Sequence, residues 1–288
     1  MSSLRSLFLI CLLAIAPFRG QAAYEVEWVE FPALNEFNGA PVQLSALEFR
    51  PQGQGPFPAI VLLHGCGGMY TRSGYVTASY RRWAEILSEE GYVALLVDSF
   101  RPRGHWSICD LQKRPILERR ERAEDAYAAA RWLSHQAYVA GGRIGLLGWS
   151  NGGSGTLYGM RAGSKLEPGF RAAVAFYPGC RTLSRAKPPY QAYAPLLILI
   201  GEADDWTPAA PCVHLAATAK EQGAPVEVVT YTGAHHSFDR INSPLRYRPN
   251  VRNLSKPDRL GATVGEHPQA REDAVKRTLQ FFAQTLKN

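Results

Sequence analysis

The residues Gly148-Trp149-Ser150-Asn151-Gly152 place a serine in the spacing G-x-S-x-G, directly after an apolar run and before a plausible helix. That context turns a short motif into a mechanism, because a serine on a sharp strand-to-helix turn is held above the edge of a sheet. Side chains at position 148 or 152 would collide with the neighbouring strand and helix, so glycine is required there. The following helix aims its N-terminal amides at the site where negative charge develops in acyl transfer, which makes the Asn151 N–H an expected oxyanion donor. A second donor is expected from His64-Gly65-Cys66-Gly67-Gly68, which leaves another apolar run. The Cys66 N–H is the first choice and the Gly65 N–H the neighbouring alternative.

A serine hydroxyl is a poor nucleophile at neutral pH and needs an imidazole to take its proton and a carboxylate to fix that imidazole's tautomer. In a strand–serine–helix arrangement the chain order is serine, acid, histidine. Two stretches supply that order: Leu196-Leu-Ile-Leu-Ile-Gly-Glu-Ala-Asp204-Asp205 and Val228-Val-Thr-Tyr-Thr-Gly-Ala-His235-His236. Each offers two adjacent candidates whose side chains must diverge, so one of each pair is expected to serve.

These residues need a scaffold that brings strand ends together. Short runs rich in Val, Ile and Leu alternate with helical patterns, the signature of a parallel sheet covered on both faces. Buried strands are expected at Ala59–Leu63, Tyr92–Val97, Arg143–Leu147, Ala172–Phe176, Leu196–Ile200 and Val226–Thr230. An antiparallel pair, Tyr24–Phe31 and Val42–Arg50, precedes them around Asn38-Gly39. Helices are expected over Tyr80–Glu90, Leu117–Gln136 and Pro268–Leu286, and beyond Ser150. The fold class is α/β, an α/β-hydrolase fold with a mostly parallel sheet of about eight strands. Two long irregular segments, Ser99–Pro115 and Arg240–His267, interrupt the rhythm. The second, residues 240–267, reads as a lid or flap over the serine.

Arg5, the apolar run Leu7–Ala16 and the small residues Gly20, Ala22 and Ala23 read as a signal peptide over residues 1–22. Residues 23–288 then form one domain, and the protein is expected to be exported, periplasmic or secreted, with no membrane span after processing. In that setting Cys66, Cys109, Cys180 and Cys212 favour disulfides. Cys66 and Cys109 follow neighbouring strands, as do Cys180 and Cys212, so those two bridges are expected. The formal net charge of +7 biases the surface toward anions without naming a partner.

Substrate contacts are expected from His64, Trp149, Tyr70 and Trp206, and from Arg101 or Arg103 as holders of a carboxylate, although structural pairing of these arginines with Asp98 or a nearby acid is the plainer reading. The basic stretch Arg240–Arg259 lacks any nucleic-acid module. Ser184-Arg-Ala-Lys187 matches S-x-x-K without its companion motifs. His235 and His236 sit side by side and lack further ligands at metal spacing. No metal, cofactor or nucleic acid is expected, and the oligomeric state is unreadable.

At Gly148-Trp-Ser-Asn-Gly-Gly153, Gly201-Glu-Ala-Asp-Asp-Trp-Thr-Pro208 and Ala234-His-His-Ser-Phe238 the sequence resembles the dienelactone hydrolase family, from about Pro58 to the C-terminus. The resemblance selects Asp204 over Asp205 and His236 over His235. It implies hydrolysis of a small ester or lactone, and the basic stretch Arg240–Arg259, read as a lid, favours an anionic one. Two features depart from the family's namesakes, which use a cysteine where Ser150 stands and a glutamate after the strand that here ends at His64. A serine version looks more like the family's general esterases and lactonases. Amide hydrolysis, acyl transfer to an alcohol, and a binding protein that keeps the fold are the rival readings.

Overall fold

The computed structural model describes residues 24–287. The expected signal peptide, residues 1–22, lies outside the described residues. Strands β1 (Tyr24–Pro32) and β2 (Gln43–Pro51) pair antiparallel, with Trp28 opposite Leu47. Between them Asn38 and Gly39 both take positive φ, 53° and 78°, the geometry for which Asn-Gly is suited. Strand β2 also pairs antiparallel with β4 (Val93–Asp98). From there every pairing is parallel, through β3 (Phe57–Leu63), β5 (Val139–Trp149), β6 (Ala172–Phe176), β7 (Leu196–Gly201) and β8 (Val226–Tyr231). The eight strands lie in the order β1-β2-β4-β3-β5-β6-β7-β8. Every residue of β4, β6 and β7 is buried, which is why these strands read as unbroken apolar runs and not as alternation.

Helices α1 (Ala78–Glu89), α2 (Ala123–Ser134), α3 (Asn151–Gly159), α4 (Ala209–Glu221) and α5 (Pro268–Leu286) cover the sheet. Successive residues of a strand face opposite sides, and β5 shows what lies on each. A methyl group on Gly145 would strike Phe282 and Leu286 of α5, whereas the next side chain, Leu146, lies against Gly159 of α3. The helix expected over Leu117–Gln136 is divided. Its first turn, Glu118–Arg122, is π-helical, with the Arg122 N–H reaching back to the Leu117 carbonyl at 3.1 Å. Glu121 Oε2 accepts from the Leu117 N–H at 2.8 Å and closes that wide turn.

The segment expected to be irregular, Arg240–His267, instead contains an antiparallel pair, β9 (Arg246–Arg252) and β10 (Leu260–Val264). Four of the seven β9 residues are arginine or proline and most of the strand is exposed, so no apolar alternation announces it. Backbone and side-chain bonds hold this hairpin beside the sheet edge: the Arg252 N–H donates to the Cys109 carbonyl at 2.8 Å, and Asn253 Nδ2 to the Asp205 carbonyl at 2.8 Å. Disulfides join Cys66 to Cys109 and Cys180 to Cys212. Among the described residues no helix is long and apolar enough to cross a membrane.

Candidate active site

Strand β5 delivers Ser150 at its C-terminal end, and α3 begins at the next residue. Ser150 has φ 54° and ψ −112°, a strained combination for a side chain with a Cβ. The strain is tolerated because its N–H bonds the Phe176 carbonyl at 2.9 Å and its carbonyl accepts from the Ser154 N–H at 2.7 Å. A Cβ on Gly152 would lie 2.0 Å from the Leu63 carbonyl oxygen, and one on Gly148 2.3 Å from that of Gly152. Both contacts are with backbone, so neither glycine can be replaced without moving the elbow.

The ends of β7 and β8 bring up Asp204 and His236. Ser150 Oγ lies 2.9 Å from His236 Nε2, and His236 Nδ1 lies 2.7 Å from Asp204 Oδ2. A carboxylate accepts only, so Nδ1 carries the hydrogen and Nε2 is free to accept from the serine. Asp204 is itself fixed: Oδ1 accepts from the Trp206 and Thr207 N–H groups at 2.9 and 2.8 Å, and the Thr207 hydroxyl lies 3.0 Å from Oδ2. The His236 ring is held between Tyr177 and Trp206, at centroid distances of 4.6 and 4.8 Å. The neighbouring candidates go elsewhere. Burial opposes ionisation of Asp205, yet the Thr263 amide and Lys256 hold its carboxyl below the usual range, with Lys256 Nζ 3.1 Å away. The serine's bond goes to His236 and not to His235, whose Nδ1 is buried without a hydrogen-bond partner among the described residues.

At the exit of β3 the Gly65 N–H donates to Tyr80 Oη at 2.9 Å and is therefore spent. The Cys66 and Asn151 N–H groups have no hydrogen-bond partner among the described residues. Cys66 is fixed by its disulfide and by its carbonyl, which accepts from the Ile108 N–H at 2.9 Å.

Several residues expected to touch substrate are placed otherwise. His64 is fully buried, its Nδ1 2.8 Å from the Gly65 carbonyl oxygen; burial, with the Arg122 guanidinium beside it, holds the imidazole well below its usual pKa. Arg103 forms two 2.8 Å bonds with the buried Asp125, so its partner is structural, though not Asp98. Arg101 stacks over Tyr70 and Trp106 at 4.4 and 4.8 Å and lines neither cavity at Ser150. Trp149 is buried and donates to Asp239, while its surface also lines the small recess at Ser150. Trp206 alone of these lines the larger cleft at Ser150.

That cleft, about 210 Å³, is walled by Arg114, Glu118, Arg181, Trp206 and Arg252 besides Ser150. A smaller recess of about 30 Å³ meets it at Ser150 and is lined by Cys66, Tyr80, His236, Arg240 and Arg248. Glu118 Oε1 accepts from Asn151 Nδ2 at 2.6 Å and Arg114 Nη1 at 3.0 Å. Burial pulls the Arg114 pKa down, Glu118 opposes this, and the nearby Arg252 guanidinium adds to it. Three arginines thus line this wall with a single carboxylate, and of the three it is Arg114 that bonds it. Sequence reasoning did not single out Arg114, Glu118, Arg252 or Tyr80, which lie in no motif and reach the serine only through chain crossings.

The family model described as the dienelactone hydrolase family matches residues 44–286. The chain belongs to the dienelactone hydrolase family. It is a hydrolase of the α/β-hydrolase kind. Among similar proteins, a Bradyrhizobium sp. protein named "Probable 2-oxo-3-(5-oxofuran-2-ylidene)propanoate lactonase" is 28% identical over 201 residues, 66% of this chain and 76% of that protein. Among solved structures, a dienelactone hydrolase-like promiscuous phosphotriesterase from metagenomic libraries matches with a TM-score of 0.62 and 16% identity, covering 90% of this chain and 98% of that one. A thermophilic esterase from Thermogutta terrifontis matches with a TM-score of 0.59 and 17% identity, over 91% and 92%. At such identities the two structures speak for the shared fold. Within this family member the serine, imidazole and carboxylate stand at the C-terminal edge of β5, β8 and β7, the edge at which open α/β sheets bind ligands.

Proposed function

We propose that this family member hydrolyses carboxylic esters or lactones through an acyl-enzyme on Ser150. The observation that carries the reading is the unbroken chain of hydrogen bonds from Ser150 Oγ through His236 to Asp204, at 2.9 and 2.7 Å. Ser150 Oγ attacks the carbonyl carbon while His236 Nε2 takes its proton. The resulting oxyanion accepts from the unpaired Cys66 and Asn151 N–H groups. Collapse expels the alcohol, to which His236 returns the proton; in a lactone the alcohol stays tethered to the acyl group. Water, deprotonated by the same imidazole, then releases the acid. Asp204 keeps His236 in the required tautomer and stabilises the imidazolium.

The cleft favours a substrate bearing a carboxylate. Arg114, Arg181 and Arg252 line the cleft with Glu118 as the one acid among the lining residues, so an excess of positive charge stands beside the nucleophile. A substrate anion there would meet guanidinium groups able to bind it through paired hydrogen bonds. The lactone named for the Bradyrhizobium relative is an anionic one, which agrees with that charge. Two disulfides suit an exported protein, and we place this enzyme outside the cytosol.

A fluorophosphonate probe tests the nucleophile: it should label the wild-type protein at Ser150 and leave Ser150→Ala unlabelled, whereas equal labelling removes the mechanism. The charge reading is tested by Arg252→Gln, expected to raise KM about tenfold or more for an ester carrying a carboxylate in its acyl part and to leave its neutral counterpart within about twofold. Equal effects on both esters would reject the anionic preference.

A further inference from the structure

The Tyr80 hydroxyl is placed by two neighbours, and neither can receive its hydrogen. The Gly65 N–H donates to Oη at 2.9 Å, and the Arg240 guanidinium, which lines the same recess, lies beside Tyr80 as a second donor. A phenol offers one donor and two acceptor positions, while an amide N–H and a guanidinium only donate. Both contacts therefore use Tyr80 as an acceptor. Among the described residues no group accepts the hydroxyl hydrogen, although Tyr80 is buried, with 4% of its surface exposed. That leaves the recess at Ser150 as its direction.

The position of the hydroxyl agrees with this. A methyl group built on Gly65 would sit 3.2 Å from Tyr80 Oη and 3.4 Å from Ser150 Cβ, so the two side chains face each other across the width of one such group. Tyr80 lines the same recess as Cys66, Ser150 and His236. Its ring packs on Trp149, with centroids 5.1 Å apart, and α1 is anchored further by Trp83 Nε1 donating to Asp239 at 2.9 Å. The hydroxyl is thus held without relying on substrate, as electrostatic preorganisation requires.

We propose that Tyr80 is a catalytic residue: its O–H donates a third hydrogen bond to the oxyanion formed on attack by Ser150, beside the Cys66 and Asn151 N–H groups. No proton is transferred in this step. The hydrogen stays on Oη while negative charge builds on the substrate oxygen, and the Arg240 guanidinium, by drawing electron density from Oη, strengthens the donor. The proposal rests on Ser150 being the nucleophile.

The test separates donation by Tyr80 from mere acceptance of the Gly65 N–H. Tyr80→Phe should lower kcat for phenyl acetate on the order of 10²-fold, leave KM within about twofold, and weaken a trifluoromethyl ketone, which forms a tetrahedral adduct, by a matching factor. Replacing Tyr80 with 3,5-difluorotyrosine supplies the decisive arm. Its phenol ionises near neutral pH, and the phenolate still accepts from Gly65 and Arg240 but has no hydrogen to give. The fluorinated enzyme should therefore gain an alkaline fall in kcat that the wild type lacks. Wild-type kcat in Tyr80→Phe, or a fluorinated enzyme whose activity persists as its phenol ionises, would overturn the proposal. Loss of fluorophosphonate labelling specificity at Ser150 would instead defeat the underlying mechanism, so the two failures are distinguishable.

Discussion

Replacing Asp204 with asparagine should cost far more than the loss of one charge, because the surrounding amides dictate how the new side chain must sit. Asp204 Oδ1 accepts from two backbone N–H groups, those of Trp206 and Thr207, at 2.9 and 2.8 Å. An NH2 group placed there would face two donors, leaving both amides unpaired at a cost of about 1–3 kcal/mol each. The amide oxygen must therefore take the Oδ1 position, and the NH2 group the Oδ2 position, 2.7 Å from His236 Nδ1. There it donates to Nδ1 and reverses the imidazole's tautomer. The hydrogen moves to Nε2, which then points at Ser150 Oγ as a donor and can no longer accept its proton. In well-studied serine triads that reversal lowers kcat about 10⁴-fold, or ~5.5 kcal/mol of transition-state stabilisation. The assay is burst and steady-state turnover of p-nitrophenyl butyrate by Asp204→Asn, with circular dichroism to confirm folding. Asp205→Asn serves as the control, since Asp205 is engaged by Lys256 and Thr263 and should change kcat by less than about threefold. A folded Asp204→Asn enzyme keeping more than about a tenth of wild-type kcat would refute the argument.

The two disulfides close loops of similar span, 43 and 32 residues apart in sequence, so losing either should destabilise the chain by about 4 kcal/mol in urea titrations. The kinetic consequences should differ: Cys66→Ser with Cys109→Ser frees the residue that offers an oxyanion N–H and should lower kcat about tenfold or more in the surviving folded fraction, while the Cys180–Cys212 pair should act chiefly on stability. If both double variants leave kcat unchanged, the bridge at Cys66 does not hold the oxyanion loop. A third expectation concerns Glu48, which is 1% exposed and accepts from Tyr138 Oη at 2.9 Å. Burial pushes its carboxyl above the ordinary glutamate value of 4.5 against the opposing pull of Tyr138 and Arg50. The folded chain thus holds this proton more tightly than the unfolded chain, and the linked stability, full below about 4.5, is lost as pH rises through the folded value. Glu48→Gln should melt above wild type at neutral pH, with the gap closing under acid conditions; an unchanged gap across that range would contradict the linkage.

Much of the architecture was legible because it is written in local patterns. Strands β4, β6 and β7 are apolar throughout because both sheet faces are covered, and the Asn38-Gly39 turn and the glycines flanking Ser150 answer backbone constraints that act within a few residues. Other features escaped for the same physical reason in reverse. The polar strand β9 is held by Asn253, Asp205 and Cys109 from distant segments and not by its own periodicity. The π-turn at Glu118–Arg122 depends on the Glu121 carboxylate reaching back to Leu117, which no helical pattern signals.

By itself the sequence determined that a serine would stand on a glycine-flanked elbow after a buried strand, with carboxylate and imidazole candidates after later strands in a matching order. It narrowed each of those pairs only through likeness to a family. The tertiary structure decided which member faces the serine, because adjacent side chains diverge and only the packed ends of β7 and β8 fix their directions. It also decided what Arg101, Arg103 and His64 do, since a guanidinium or an imidazole commits to whichever partner folding brings near. Arg103 meets Asp125 from the next helix, whereas Arg114 and Arg252 line the cleft at the serine from segments far apart in the chain. Hydrogen bonds and charge act over a few ångströms of space, and separation along the chain carries almost no information about that distance.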